Sequence, residues 1–296
     1  PLFRQEAELM TLLLHAYTLQ LDSRQLTKIK QLAESNPDNL LLHFFATTTL
    51  MKEARSGEAG RILDEVPSGP SYIAFPFLDY LRGEIALQSG DYDKAFSYYS
   101  KFQSLYKGFN YIKDSNLKMF MCRWLAGRDT EAKPFIEKIK LEGSAIIEAD
   151  KLAVRVADDY TSGKLTATQK VLYKSRYATD GGFLSQAVSF LSDVTEASFN
   201  SMPDKAEFNY RKGRILQKSD KEDAALPYFQ RCVNLTKGYP IGFGASSALQ
   251  LGYIYKEKKQ KAKAIEYFKV AMAYKKYEYK NSIDSKARAA LTSLGV

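Results

Sequence analysis

A spacing that occurs three times along the chain constrains its fold more than any other feature of the sequence. Each copy has the same four positions at identical intervals: a glycine, an alanine, an aromatic residue and a further apolar residue. The copies are Gly83–Ala95–Tyr99–Phe102, Gly213–Ala225–Phe229–Cys232 and Gly252–Ala264–Phe268–Ala271. The last three members of each copy are separated by steps of four and then three positions, which stay on one face of a helix. The longer interval after the glycine leaves room for a turn. The spacing therefore predicts a helical hairpin in which the glycine lies midway along the first helix, where the second helix approaches closely.

Four looser copies keep the apolar face of the second helix but lack the glycine. They are Leu13–Gln25–Ile29–Leu32, Thr47–Ala59–Leu63–Val66, Phe120–Ala132–Ile136–Ile139 and Ser175–Ala187–Leu191–Val194. The second-helix anchors of all seven copies follow one another at nearly regular intervals, except for a longer gap between Ala132 and Ala187. Residues 144–160 have apolar side chains at helical spacing and predict an inserted helix in this gap. Residues 282–294 predict a final helix that covers the last hairpin, as helical arrays require.

This pattern resembles the tetratricopeptide repeat, a family of helix–turn–helix units that stack into a solenoid. The resemblance implies an all-α fold, a right-handed superhelix (α-solenoid) of about seven helical hairpins. We expect hairpins in residues 1–143, an inserted helix and turn in 144–166, and further hairpins with a capping helix in 167–296.

Composition argues against catalysis and against a metal or cofactor site. The chain has two Cys, far apart in the sequence, and two His, which are too few for a disulfide framework or a multi-Cys metal site. The step Gly163-Lys164 lacks the preceding glycine that a phosphate-binding loop needs, since Asp158 occupies that place. Paired carboxylates such as Asp91 and Asp93 precede predicted second helices, where the helix dipole favours them. We therefore expect no enzyme, no catalytic residues, no cofactor and no metal.

The family resemblance implies a partner-binding groove lined by the first helices. In this family, the side chains three residues before the glycine and one after it point into the concave face. The resemblance assigns Tyr80, Glu84, Tyr210, Arg214 and Tyr253 to that groove, with Trp124 and Arg176 from the looser units. Tyr, Trp and Arg are enriched at protein interfaces. The function predicted is a non-catalytic scaffold that binds a peptide or helix of another protein; the alternative for these side chains is packing against the inserted helix.

A basic stretch offers a second function. Residues 256–280 hold 9 Lys against 3 Glu, interleaved with tyrosines, whereas the whole chain has a net charge of +9. The basic patch Lys256, Lys258, Lys259 and Lys261 would suit a nucleic-acid-binding module that uses phosphate contacts and base stacking. A solvated turn and helix end explain the same residues, and the absence of clustered Arg favours that explanation. A protein or peptide is therefore the expected partner, rather than nucleic acid.

The sequence leaves the cellular compartment of the protein open. No apolar run approaches the roughly 20 residues that span a bilayer, so no transmembrane segment is expected. The chain starts at Pro1. Two compartments stay open: the cytoplasm, or the periplasm and cell envelope if the N-terminus was processed.

Overall fold

A computed structural model of the chain describes residues 3–18, 21–66 and 75–296. Within these residues the structure is helical throughout and has no strand, which confirms the all-α prediction. The helices are α1 (Arg4–Thr18), α2 (Ser23–Glu34), α3 (Leu40–Lys52), α4 (Ser56–Asp64), α5 (Pro76–Gln88), α6 (Tyr92–Leu105), α7 (Ile112–Leu125), α8 (Asp129–Leu141), α9 (Glu148–Thr161), α10 (Ala167–Gly181), α11 (Leu184–Phe190), α12 (Met202–Lys218), α13 (Glu222–Thr236), α14 (Gly242–Glu257), α15 (Lys261–Ala273) and α16 (Lys280–Ser293).

The recurring glycine has a direct steric cause. In α5/α6, α12/α13 and α14/α15, the aromatic ring of the same copy, carried by the second helix, lies against the Cα of the glycine. A Cβ built on the glycine would lie 2.8 Å from the ring in Gly83–Tyr99, 2.6 Å in Gly213–Phe229 and 2.5 Å in Gly252–Phe268. Real Cβ atoms do not approach ring carbons so closely, so any larger residue would push the two helices apart.

Short turns connect the helices of these hairpins. One residue in each turn has the left-handed backbone: Gly90 (φ 79°), Asp220 (φ 57°) and Lys259 (φ 58°). In the first of them, the Asp91 carboxylate then accepts the Lys94 backbone N–H at 3.2 Å and caps α6. The reversal between helices is thus encoded by a few local residues.

The inserted helix predicted at residues 144–160 is α9, and it packs on α7 and α8. Its Asp150 side chain is fully buried. The Asp150 carboxylate accepts the backbone N–H of Tyr111 at 2.8 Å and that of Asp114 at 2.9 Å. The side chain of Tyr111, the residue just before α7, does not cap that helix. The insertion therefore supplies a cap, and a favourable negative charge, to the first turn of α7.

The chain divides into two compact units, Pro1–Phe183 (unit 1) and Leu184–Val296 (unit 2). Unit 1 contains α1 to α10, and its consecutive hairpins α1/α2, α3/α4, α5/α6 and α7/α8 each have paired helices. Unit 2 contains α11 to α16, with hairpins α12/α13 and α14/α15 and the predicted final helix α16 packed on α14 and α15.

The hairpin predicted around residues 175–194 is divided between the units. Helix α10 packs on α5 and α7 of unit 1, whereas the short helix α11 packs on α12 of unit 2. A Cβ built on Gly182 would lie 1.8 Å from the Ala54 carbonyl oxygen, so the end of α10 lies directly on the turn between α3 and α4. The boundary between the two compact units therefore falls after α10.

Both cysteines are buried and unpaired, Cys122 in unit 1 and Cys232 in unit 2. Burial raises the pKa of the Cys232 thiol to about 12 and raises the pKa of Cys122 well above its usual value. Because the thiolate is the reactive form, we expect neither thiol to react with Ellman's reagent at pH 8 in the folded protein. Unfolding without reductant should release two reactive thiols; fewer than two would reveal a disulfide.

Candidate functional site

Helix α10 packs on one side of α5 and α7, which we call the first-helix face of unit 1. This face carries a buried cluster of charged side chains. The Lys118 ammonium lies 2.9 Å from Glu84. The Tyr80 hydroxyl donates a hydrogen bond to Asp114, and the Tyr99 hydroxyl donates one to Glu84. Both members of the cluster that the sequence assigned to a partner groove, Tyr80 and Glu84, are thus engaged within unit 1.

Burial sets the electrostatics of this cluster. Burial raises the pKa of Asp114, an effect that Glu84 adds to and Lys118 opposes. Burial also disfavours the charge on Lys118, but the Glu84 and Asp114 carboxylates outweigh it and raise the pKa of the ammonium. Lys118 therefore remains protonated and holds two carboxyl groups together beneath α10.

Helix α10 covers this face with two tyrosines one turn apart. The Tyr173 ring meets the Trp124 ring edge-on, with centroids 5.8 Å apart. The Lys118 ammonium lies 5.6 Å from the centroid of the Tyr177 ring. Trp124 is only 2% exposed. Trp124 consequently lies in the core and not on an open groove, and the Tyr173 ring of α10 contacts it there.

Arg176, the other residue predicted from the looser units, lies on α10 itself. Its side chain is 39% exposed, and its Nε atom lies 3.7 Å from the Asp180 carboxylate. Arg176 is therefore not part of the surface formed by α5 and α7; it belongs to the helix that covers that surface.

In unit 2 the corresponding residues lie on α12 and α14. The Arg214 guanidinium donates hydrogen bonds to the Gln217 side chain at 2.6 Å and to the Gln250 side chain at 2.9 Å, which joins α12 to α14. Tyr210 lies one turn before Arg214, and Tyr253 lies three residues after Gln250. We call Tyr210, Arg214, Phe243, Gln250 and Tyr253, all half-buried, the first-helix face of unit 2.

An aromatic and guanidinium cluster extends this face. The Tyr210 ring lies 5.6 Å from the Phe243 ring. The Arg211 guanidinium lies 5.4 Å from the first ring and 5.5 Å from the second, and it pairs with Glu207 at 2.7 Å. Sequence reasoning missed Arg211 and Phe243. The sequence signal for Phe243 is the segment Gly242-Phe243-Gly244, which forms the first turn of α14.

Tyr253 completes the face at its α14 end. Its ring meets Phe268 edge-on, with centroids 5.3 Å apart, and burial raises the pKa of its phenol. The hydroxyl therefore stays protonated throughout the neutral range and is available as a hydrogen-bond donor.

The basic patch at the turn between α14 and α15 is partly neutralised. Lys258 lies 2.8 Å from the Asp223 carboxylate, and Lys256 donates a hydrogen bond to Ser293 at 2.6 Å. Lys259 occupies the left-handed turn position, and Lys261 begins α15. These contacts are those of a solvated turn, the second of the two interpretations that the sequence left open.

The described residues contain neither a cluster of metal ligands nor a helix suited to a membrane. No group of three or more His, Cys, Asp or Glu in residues 3–18, 21–66 and 75–296 is placed to hold a metal ion. In the same ranges, no helix has both the length and the apolar character needed to cross a bilayer.

Comparison with known proteins places the three glycine hairpins in one family. The tetratricopeptide repeat model matches residues 80–108, 206–239 and 245–276, which fall on α5/α6, α12/α13 and α14/α15. No curated protein sequence matches the chain. One solved structure similar to it is described as a Rap protein complexed with Competence and Sporulation Factor, with 12% identity, a TM-score of 0.37, and coverage of 98% of this chain and 78% of that chain. The glycine spacing, the ring packed on each glycine and the three matches together show that these three hairpins are tetratricopeptide-like repeats.

Proposed function

We propose that this chain is a non-catalytic scaffold that binds a peptide or helix of a partner protein on the first-helix face of unit 2. The observation that carries the proposal is the position of α10 in unit 1. Tyr80 and Glu84 occupy the same places relative to Gly83 as Tyr210 and Arg214 occupy relative to Gly213. In unit 1 this face has a helix of the chain itself packed on it.

Unit 2 has the same kind of face without such a helix. In the described residues of unit 2, α13 packs on both α12 and α14 as the second helix of the first hairpin. No additional helix there packs on both of them in the way that α10 packs on α5 and α7. Tyr210, Arg214 and Tyr253 are half-buried, as Tyr80 and Glu84 are in unit 1. Tyrosine and arginine supply large contact area and several hydrogen bonds, and both are enriched at the centre of interfaces.

The contacts of α10 also indicate what an occupant would look like. Tyr173 and Tyr177 lie at positions i and i+4 on one side of that helix, where they reach Trp124 and Lys118. An amphipathic helix with two aromatic residues one turn apart is therefore the partner segment that we expect.

The proposal predicts that replacing Tyr210 and Arg214 with alanine weakens partner capture. Truncating central aromatic or arginine anchors commonly costs at least about 2 kcal/mol, or roughly a 30-fold loss of affinity. Capture of partners by the intact chain would be compared for this variant and for a matched control, Tyr228→Ala with Lys221→Ala, which removes one tyrosine and one basic residue at α13. Helix content by circular dichroism should be unchanged in both.

Equal capture by the two variants would contradict the proposal. So would a single-stranded oligonucleotide that binds near physiological salt and is lost on charge reversal of Lys256, Lys258, Lys259 and Lys261. That result would favour the nucleic-acid-binding alternative, because phosphate contacts depend steeply on salt and on lysine charge.

A further inference from the structure

A cavity of about 740 Å³ lies in unit 2 between the second helices α13 and α15. It is formed by residues other than those of the first-helix face. Val233 of α13 and Val270 and Tyr267 of α15 form its apolar wall. Its volume is in the range of pockets that enclose small ligands or the side chains of a bound peptide.

A buried tyrosine, Tyr274, is among the residues that line the cavity. The Tyr274 hydroxyl lies 2.9 Å from the Thr236 hydroxyl and 3.3 Å from the Val233 carbonyl oxygen. Because Thr236 ends α13 and Tyr274 follows α15 directly, this contact fixes the last turns of the two helices relative to each other. The two helices on either side of the cavity are therefore held together by hydrogen bonds within unit 2.

The rim of the cavity is positively charged. Lys237, Lys275 and Lys276 line it and are exposed, and no ion pair involves them within the described residues. Two other lysines of the same region, Lys258 and Lys280, are paired with Asp223 and Asp284 at 2.8 Å and 2.7 Å. A single carboxylate, that of Glu266, lines the cavity.

Two further side chains on the rim suit a peptide. The Tyr239 ring is 56% exposed, although it is large and apolar. The exposed Asn234 amide lines the cavity and has a donor and an acceptor that match the C=O and N–H of a peptide unit. The aliphatic wall formed by Val233 and Val270 offers apolar contact that suits a Leu, Phe or Met side chain.

We propose that the cavity between α13 and α15 is a second binding site, which takes an acidic peptide segment of another protein. One apolar side chain of that segment fills the cavity between Val233 and Val270. Carboxylates on either side of it pair with Lys237, Lys275 and Lys276. This site goes beyond the proposed function, since it lies on the second helices and uses charge where the first-helix face uses aromatic contact.

The test uses the intact chain and short synthetic peptides, each with one central Phe, Leu or Met flanked by three Asp or Glu on either side. An array of these peptides is compared with two matched sets, one flanked by Lys and one with Ala at the centre. The best acidic peptide is then labelled with fluorescein for anisotropy near physiological salt. We expect binding only by acidic peptides with an apolar centre. Equal binding of all three sets, or binding of none, would overturn the proposal.

Variants then locate the binding. Charge reversal of Lys237, Lys275 and Lys276 to Glu should weaken the acidic peptide at least tenfold, and Ala273→Phe, which fills the cavity from an exposed position, should do the same. Reversal of Lys256, Lys259 and Lys261 to Glu changes the net charge equally and should leave the affinity within about twofold, since none of these three residues lines the cavity. Equal loss in both triple variants would show non-specific attraction and overturn the site.

Two further outcomes separate this site from the alternatives. The Tyr210→Ala with Arg214→Ala variant should bind the acidic peptide normally; a loss there, with the cavity variants unaffected, would assign the peptide to the first-helix face. A short oligothymidine that competes for the site and depends on Lys237, Lys275 and Lys276 would overturn the peptide proposal in favour of nucleic acid.

Discussion

Replacing Gly213 with leucine is expected to destabilise unit 2 by about 1–3 kcal/mol or more. The Cβ alone would lie 2.6 Å from Cε1 and 2.8 Å from Cδ1 of Phe229, and that ring is fully buried. The ring has no free space to move into, so α12 and α13 must separate along their contact. Thermal unfolding followed by circular dichroism would measure the change, and an unchanged melting temperature would contradict the packing described here.

Two controls test whether the ring is the cause. Gly60→Ala places a Cβ 3.7 Å from Ile85, an ordinary contact, so it should be neutral or stabilising by up to about 1 kcal/mol through helix propensity. Gly213→Ala combined with Phe229→Leu should recover part of the stability lost in Gly213→Ala, because the shorter side chain leaves room for the added methyl group. No recovery would mean that the glycine is needed for another reason.

Replacing Lys118 with methionine is expected to cost unit 1 about 3–5 kcal/mol, the usual loss when one partner of a buried ion pair is removed. Methionine keeps most of the apolar stem but leaves Glu84 and Asp114 without the ammonium that holds them together. Urea unfolding followed by tryptophan fluorescence would report this, because the single Trp of the chain, Trp124, lies in unit 1 and is 2% exposed.

The destabilisation should depend on pH with a definite sign. Without Lys118, which lowers the pKa of Asp114, the folded-state pKa of Asp114 rises further above its unfolded value. Stability is then retained below the unfolded pKa of Asp114, near 4, and lost as pH rises through the folded one. The loss in Lys118→Met should thus be smaller at pH 4.5 than at pH 8.

A second variant separates charge from packing at this cluster. Adding Glu84→Gln to Lys118→Met removes one of the orphaned charges and should restore part of the stability at pH 8. A loss that is independent of pH and unrelieved in the double variant would show that Lys118 acts through its packing alone.

The hairpins could be predicted from the sequence because their contacts are local. Gly213 meets Phe229 on the very next helix, across one short turn, so the spacing along the chain directly reflects the distance in space. The same holds for Gly83 with Tyr99 and for Gly252 with Phe268. An apolar helical pattern repeated with a steric requirement for glycine leaves few other folds.

The sequence could not show where α10 lies. Its pattern of apolar residues fits a first helix of a repeat as well as it fits a helix laid across α5 and α7. It contacts Trp124 and Lys118 of α7, and two helices, α8 and α9, separate α7 from α10 along the chain. Only the tertiary structure decides between these positions. That choice places α10 on the face of unit 1 that carries Tyr80 and Glu84, and leaves the comparable face of unit 2 without a covering helix.

The cavity in unit 2 also depends on contacts between residues that are distant in the chain. Lys237 lies in one connecting segment and Lys275 and Lys276 lie in another, with the whole of α14 and α15 between them in the chain. These lysines border one cavity because Tyr274 joins the ends of α13 and α15. The sequence by itself determined the helical hairpins, since each rests on contacts across one turn. Which faces are covered, and which charges meet, was decided by the packing of helices distant in the chain, where many arrangements satisfy the same apolar pattern and only the complete set of contacts selects one.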